Sequence, residues 1–103
     1  AGFHPAKGGS IPPGTAIMAY FVYMILSQHK NRIISYVGYT TNVRNRLIRH
    51  NSSKGAKFTK GKQWDLIYCK KYSNKSDALK NEYKLKKNYK LRNEIKNYYK
   101  LNE

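Results

Sequence analysis

Two β-prone segments separated by a short polar stretch constrain the fold of this chain more than any other feature of its sequence. Ala19–Ser27 and Ile33–Tyr39 are rich in β-branched, aromatic and aliphatic residues, whereas residues 28–31 are polar. This pattern predicts a β-hairpin. Pairing across a four-residue loop puts Tyr23 opposite Tyr36, and residues opposite each other in an antiparallel ladder share a face. We therefore predict that the two tyrosines lie side by side on one face of a sheet.

The rest of the sequence predicts three helices and one further strand. Trp64–Tyr72 has the composition of a strand, and a basic loop containing glycine precedes it. Residues that commonly cap helices stand before each helical segment. The predicted helices cover about residues 43–52 after Thr41 or Asn42, a segment from Ser73, Asn74 or Ser76 to about Asn88, and a segment from Asn88 onward. The predicted fold is α+β, a three-stranded antiparallel sheet flanked by helices in the order β-β-α-β-α-α.

The charge of the chain narrows the class of its partner. It has 103 residues, with 21 Lys and Arg against 5 Asp and Glu, which gives a formal net charge of +16. A chain of this length forms one domain with one modest core, so a separate cofactor-binding domain is excluded. The positive charge is spread along the chain and favours a polyanionic partner, with nucleic acid first and an acidic membrane or protein surface second.

The number of cysteines and the length of the apolar runs indicate in which cellular compartment the protein is expected. Cys69 is the only cysteine, so the chain cannot form an intramolecular disulfide, and this fits a reducing cytoplasm. The longest strongly apolar run, Ala19–Leu26, has eight residues, whereas a membrane-spanning helix needs about 20.

Residues 1–17 hold all three prolines and four of the seven glycines. We interpret them as a flexible leader added during cloning, rather than a natural tail, before a domain over residues 18–103.

On the second predicted helix, a carboxylate falls within the apolar face. Ala78, Leu85 and Tyr89 form that face, and Glu82 lies four residues after Ala78 and three before Leu85. We expect Tyr89 in the core. A carboxylate in such a position must be paired or coordinated, because carboxylates are almost never buried alone. Glu82 is therefore either a site acid or the partner of an Arg or Lys in an internal salt bridge.

Together these residues resemble the GIY-YIG nuclease domain, most closely its small single-domain bacterial branch, which is related to structure-selective repair nucleases. The resemblance covers about residues 18–89. Phe21 and Val37 stand where the family pattern has Gly and Ile. The residues that carry the resemblance are Phe21-Val22-Tyr23, Tyr36-Val37-Gly38, Arg46, His50, the loop 55–61 and Glu82.

The resemblance implies a metal-dependent endonuclease that hydrolyses phosphodiester bonds in DNA. Glu82 would bind Mg²⁺ or Mn²⁺, an ion that is often held by one carboxylate plus water and phosphate oxygens. Arg46 would bind the phosphate as negative charge develops on it. Tyr23 and Tyr36 would position and deprotonate the attacking water, with nearby cations expected to lower the phenol pKa, and which of them is the base stays open. His50 would orient these groups or relay a proton.

Other positions of the motif are expected to contact the nucleic acid. These are Gly38, Lys57, Thr59 and Lys60, although Gly38 has the alternative role of allowing close approach of neighbouring groups. The Lys-rich residues 80–100 add phosphate neutralisation. We expect a single-stranded or branched DNA substrate, low sequence specificity and no small-molecule cofactor. The alternatives are a non-catalytic nucleic-acid-binding module on the same fold and a basic domain that binds an acidic protein or membrane.

Overall fold

The chain folds as a three-stranded sheet with helices on both of its faces. The computed structural model describes residues 19–29 and 31–101, and the predicted leader over residues 1–17 lies outside the described residues. The observed order of elements confirms the predicted α+β fold. The elements are β1 (Tyr20–His29), β2 (Arg32–Thr40), α1 (Val43–Asn51), a 3₁₀ turn (Lys57–Thr59), β3 (Asp65–Tyr72), α2 (Lys75–Lys87) and α3 (Tyr89–Leu101).

Strand β1 is the centre of the sheet. The strand order is β2-β1-β3, and both pairs are antiparallel. The pairing with β3 shifts between Met24 and Ile25, where a bulge interrupts the ladder. Every residue of 22–27 is buried, because both faces of this central strand are covered.

The register of the hairpin differs from the predicted one by two residues. Tyr23 pairs with Gly38, and Tyr36 pairs with Ile25. The prediction of a four-residue loop was wrong because β1 continues to His29, which pairs with Arg32. Side chains alternate between faces with a period of two, so a shift of two residues leaves each side chain on its predicted face. Tyr23 and Tyr36 therefore still share a face, and their ring centroids are 6.5 Å apart.

Asparagine side chains define where the helices begin. The side-chain oxygens of Asn42, Asn74 and Asn88 each accept a hydrogen bond from the backbone N–H three residues later, at 3.0, 2.8 and 3.0 Å. Such bonds satisfy amide groups that have no partner within the helix. The three helices consequently begin within the limits that the sequence predicted.

The two faces of the sheet carry separate apolar clusters. Val22, Met24 and Leu26 of β1 pack in one cluster, which contains Ala78 and Leu85 of α2, Ile95 of α3 and Ile67 and Tyr68 of β3. Tyr23 and Ile25 lie on the opposite face with Trp64, and Leu47 of α1 packs against them. The candidate tyrosines therefore lie on the face that α1 covers.

The expected place of Tyr89 in the core was wrong. Helix α2 ends at Lys87, and Asn88 begins a new helix, so Tyr89 no longer continues the apolar face of α2. Its side chain is 68% exposed, and the guanidinium of Arg92 lies 5.8 Å from its ring centroid.

No helix among the described residues is long and apolar enough to span a bilayer.

Candidate active site

A buried hydrogen bond between Tyr23 and His50 lies at the centre of the candidate site. Tyr23 extends from β1, and His50 belongs to the last turn of α1. Both residues are buried, and the Tyr23 hydroxyl lies 2.8 Å from Nε2 of His50. The resemblance had implied a site role for His50, but its bond to Tyr23 joins residues 27 positions apart and had no local signal in the sequence.

The contacts of Thr59 fix the proton positions on His50. The Thr59 hydroxyl lies 2.7 Å from the carbonyl oxygen of Ala56 and 2.9 Å from Nδ1 of His50. A hydroxyl has one proton, so both contacts are satisfied only when Thr59 donates to Ala56 and accepts from Nδ1–H of His50. Nε2 of His50 then carries no proton in the neutral ring, and it accepts the hydrogen bond from the Tyr23 hydroxyl.

Burial shifts the pKa of both partners in directions that agree with this arrangement. Burial lowers the pKa of His50 below its usual 6.5, and the charge of Arg46 lowers it further, so the imidazole is neutral at pH 7. Burial raises the pKa of Tyr23 well above its usual 10.0, and Tyr36 and Glu82 add to this, while Arg46 opposes it. The cations were expected to lower the pKa of the phenol. Arg46 does so, but the cost of desolvating a phenolate is larger.

Two glycines allow the Tyr23–His50 pair to form. A Cβ atom on Gly38 would lie 2.4 Å from the hydroxyl oxygen of Tyr23, and one on Gly55 would lie 2.5 Å from Nδ1 of His50. Neither separation is tolerated, so any side chain at these positions would displace the buried ring. The close approach predicted as one role of Gly38 is therefore present. The role of Gly55 was missed, since nothing in the loop sequence distinguishes it from Gly61.

Tyr36 differs from Tyr23 in its surroundings. Its ring is edge-on to that of His50, with centroids 5.2 Å apart, and it stacks against Phe58 at 6.3 Å. No hydrogen bond within the described ranges involves its hydroxyl, and the residue is only partly buried. Of the two tyrosines, Tyr23 is therefore the one connected to a proton acceptor.

Arg46 and Glu82 bring opposite charges to this site. Arg46 is partly buried on α1, and no salt bridge among residues 19–29 and 31–101 involves it. The Glu82 side chain is 20% exposed, and its carboxylate lies 3.7 Å from the ammonium of Lys86. The ion pair is therefore on the surface of α2 rather than the internal salt bridge that the sequence offered as one interpretation of Glu82. The charge of Glu82 also raises the pKa of Tyr23, so the carboxylate is within electrostatic range of the site.

The loop residues predicted to contact nucleic acid separate into two groups. Lys57, the first residue of the 3₁₀ turn, and Lys60, which follows its last residue, are both exposed. Thr59 is fully buried, and its hydroxyl is engaged with His50 and Ala56. The expected phosphate contact of Thr59 does not agree with this placement, because the 3₁₀ turn directs its side chain inward.

The donor set of the site fits a magnesium ion held mainly by substrate and water. The part of the chain that the structure describes has no group of three or more His, Cys, Asp or Glu residues that could hold a metal ion. Glu82 supplies one carboxylate facing the site, and Mg²⁺ is commonly bound through one or two carboxylates with waters and substrate phosphates completing its octahedron. Glu82 therefore suits an open magnesium site rather than a closed metal cage.

The fold and the site together define a nuclease-type domain, with a tyrosine pair on the central sheet and Arg, His and Glu residues from flanking helices. The sequence matches the family described as GIY-YIG catalytic domain over residues 19–97, and the chain belongs to this family of nuclease domains.

Small bacterial proteins named UPF0213 are similar to this chain. The protein of Oceanobacillus iheyensis is 38% identical over 68 residues, which cover 65% of this chain and 76% of the relative. One from Staphylococcus epidermidis is 41% identical over 68 residues, which cover 65% of this chain and 79% of the relative. One from Lactiplantibacillus plantarum is 40% identical over 75 residues, which cover 70% of this chain and 71% of the relative. No solved structure gives a significant match.

Proposed function

We propose that this protein is a divalent-metal-dependent endonuclease that hydrolyses phosphodiester bonds in DNA. The observation that carries the proposal is the buried chain from Tyr23 through His50 to Thr59, because it presents a tyrosine whose proton has a defined acceptor. Packing alone does not require a polar side chain in this position. A fully buried neutral histidine whose unprotonated nitrogen accepts a hydrogen bond from a tyrosine hydroxyl therefore indicates a chemical role. Family membership supports the same conclusion.

The proposed proton path runs from water to His50. As water attacks phosphorus, its proton passes to the Tyr23 oxygen while the Tyr23 proton passes to Nε2 of His50. Tyr23 is neutral before and after this step, and His50 gains one proton. A high pKa for Tyr23 is therefore no obstacle, since the phenol never has to exist as a free phenolate. Thr59 is a positioning residue, because its hydroxyl holds the ring in the tautomer that accepts at Nε2.

Arg46 and Glu82 have complementary roles in this proposal. Arg46 would bind a phosphate oxygen as negative charge develops, and it has no carboxylate partner among the described residues to compete for it. Glu82 would hold Mg²⁺ or Mn²⁺, which supplies charge stabilisation at the scissile phosphate and leaving oxygen. Lys86 provides the counter-charge of Glu82, and its flexible stem allows the ammonium to move to a phosphate when substrate binds.

Charge and exposure support a DNA substrate bound with low sequence specificity, and we propose that this DNA is single-stranded or branched. The chain carries a net charge of +16, and Lys57 and Lys60 are exposed at the start and just after the end of the 3₁₀ turn that carries Thr59. Contacts of this kind bind phosphates without reading bases. We propose a cytoplasmic location, with which the single cysteine, Cys69, is compatible.

Cleavage of defined DNA substrates tests this proposal. Single-stranded, duplex and branched DNA are incubated with the protein and Mg²⁺ or Mn²⁺, with EDTA and the Glu82→Gln variant as controls. Glu94→Gln is the matched control, because it removes the same charge from an exposed position on α3. We expect cleavage in wild type and Glu94→Gln only. Cleavage that survives EDTA and Glu82→Gln contradicts the metal mechanism, and tight binding without cleavage favours a non-catalytic binding module.

A further inference from the structure

An open groove lies along the outer strand of the sheet, next to the candidate active site. Its volume is about 350 Å³, at the small end of the range of about 300–1,000 Å³ for ligand sites. It shares Tyr36 with the active site, and it includes Lys86, which pairs with Glu82. Because the groove is open, it suits one unit of a polymer lying across it. The lining residues are Ser35, Tyr36, Val37, Phe58, Lys86 and Arg92.

Phe58 forms one wall of this groove as an exposed aromatic ring in a fixed orientation. The residue is 52% exposed. Its ring stacks against Tyr36 at 6.3 Å between centroids, with an angle of 22° between the planes, and it packs against the buried Trp64 at 6.4 Å. The indole N–H of Trp64 donates to the carbonyl of Thr59, which ties the turn to the core. The ammonium of Lys62 lies over the ring, 5.5 Å from its centroid, and a base that stacks on Phe58 would displace it. A half-exposed aromatic ring held in this way is suited to stacking with a nucleobase.

Two cations also line the groove. Nη1 of Arg92 donates to the carbonyls of Leu85 and Lys86 at the end of α2, which holds the guanidinium in place. Lys86 contributes an ammonium that is half exposed. No acidic side chain of the described residues lines the groove. A single concave site thus offers both an aromatic surface and positive charge, which match the base and the phosphate of one nucleotide.

We infer that this groove binds one unpaired nucleotide of the substrate strand, with its base against Phe58 and its phosphate near Lys86 and Arg92. The position of that nucleotide next to the cleaved bond rests on the proposed function, whereas the binding itself does not. A base within a duplex has both faces covered by its neighbours. The groove therefore favours strands whose bases are free to unstack, which supports the proposed preference for single-stranded or branched DNA.

Binding measurements without cleavage test this inference. Fluorescence anisotropy in EDTA compares an eight-nucleotide oligothymidylate with an abasic octamer that has the same phosphates and no bases. We expect Phe58→Ala to weaken binding of the oligothymidylate by about 5- to 150-fold, because loss of one base–aromatic stack has this effect. Binding of the abasic octamer should change less than about twofold. Tyr83→Ala is the matched control, since Tyr83 is 62% exposed on α2 and lies outside the groove.

A further pair of variants separates stacking from folding and charge. Phe58→Trp should retain binding of the oligothymidylate, and urea unfolding should show a cooperative transition, hence an intact core, in both Phe58 variants. Lys86→Gln should weaken both octamers equally and reduce the salt dependence of binding by about 0.7 in log–log slope. Equal losses for both octamers in Phe58→Ala, or no loss for either, would overturn the stacking site.

The inference and the proposed function fail separately. Cleavage of single-stranded DNA by the wild type, combined with equal effects of Phe58→Ala on the two octamers, would overturn only the stacking site. Base-dependent binding at Phe58 without cleavage under either metal would overturn only the nuclease activity.

Discussion

Replacing Thr59 with Val removes the hydroxyl that positions His50 while keeping the shape of the side chain nearly unchanged. Thr59 and His50 are both fully buried. Without the hydroxyl, the Nδ1–H of His50 has no acceptor, because the histidine side chain is fully buried and water does not reach this nitrogen. The carbonyl of Ala56 keeps a partner, because the backbone N–H of Thr59 also donates to it at 3.0 Å. The variant therefore leaves one buried donor unsatisfied.

The expected loss of stability follows from that single donor. An unsatisfied buried donor costs about 1–3 kcal/mol of unfolding free energy. For a domain of this size, each kcal/mol lowers Tm by about 4–8 °C. Thr59→Ser is the control, since it keeps the hydroxyl and loses one methyl group, which costs about 1 kcal/mol. Because the two ranges overlap, stability alone does not distinguish the variants, and the protonation of His50 must be measured as well.

Nitrogen-15 NMR of the His50 ring provides that measurement, alongside urea unfolding and the DNA cleavage rate. Wild type and Thr59→Ser should show the proton on Nδ1. Thr59→Val should lose that preference and, with it, most of the cleavage activity, because a proton on Nε2 prevents acceptance from Tyr23. A wild-type ring with its proton on Nε2, or a Thr59→Val protein as stable and active as Thr59→Ser, would refute the reasoning.

Three further predictions concern pH, packing and the tyrosine hydroxyls. The pKa of His50 is lower in the folded than in the unfolded protein, so the unfolded chain binds the proton more readily, and this part of the stability is lost as pH falls below about 6.5. Urea unfolding at several pH values should show a smaller decrease over that range in His50→Gln than in wild type, and parallel curves would contradict the buried neutral histidine. Gly38→Ala should cost about 1–3 kcal/mol and abolish cleavage, because its Cβ overlaps the Tyr23 ring; Gly61→Ala meets no neighbouring atom, so its cost is limited to backbone strain at a φ of 75° and cleavage should persist. Tyr23→Phe should lower kcat far more than Tyr36→Phe, since only the Tyr23 hydroxyl reaches His50, and equal losses in kinetic assays would remove the assignment of Tyr23 to the proton path.

Local signals in the sequence were sufficient to predict the helix starts, but not the length of the hairpin connection or the place of Tyr89. Asn42, Asn74 and Asn88 are local signals, and they marked the helix starts because a cap bonds within its own first turn. The length of the hairpin connection was misjudged, since residues 28 and 29 are polar yet continue β1. Tyr89 was misplaced because one apolar periodicity ran across two helices. These errors arise where the local pattern is compatible with two structures.

The sequence by itself determined the order of the elements, the face shared by Tyr23 and Tyr36, and the residues of the family motif. The order of the elements and the shared face depend on short-range periodicity and on chain order, which do not require knowledge of packing, whereas the motif residues rest on the resemblance to the GIY-YIG family. Only the tertiary structure decided that Thr59 holds His50, that Gly55 makes room for its ring, and that burial outweighs Arg46 in setting the pKa of Tyr23. Each of these depends on contacts between distant segments and on exclusion of water, and both exist only once the loop, α1 and the sheet have packed together.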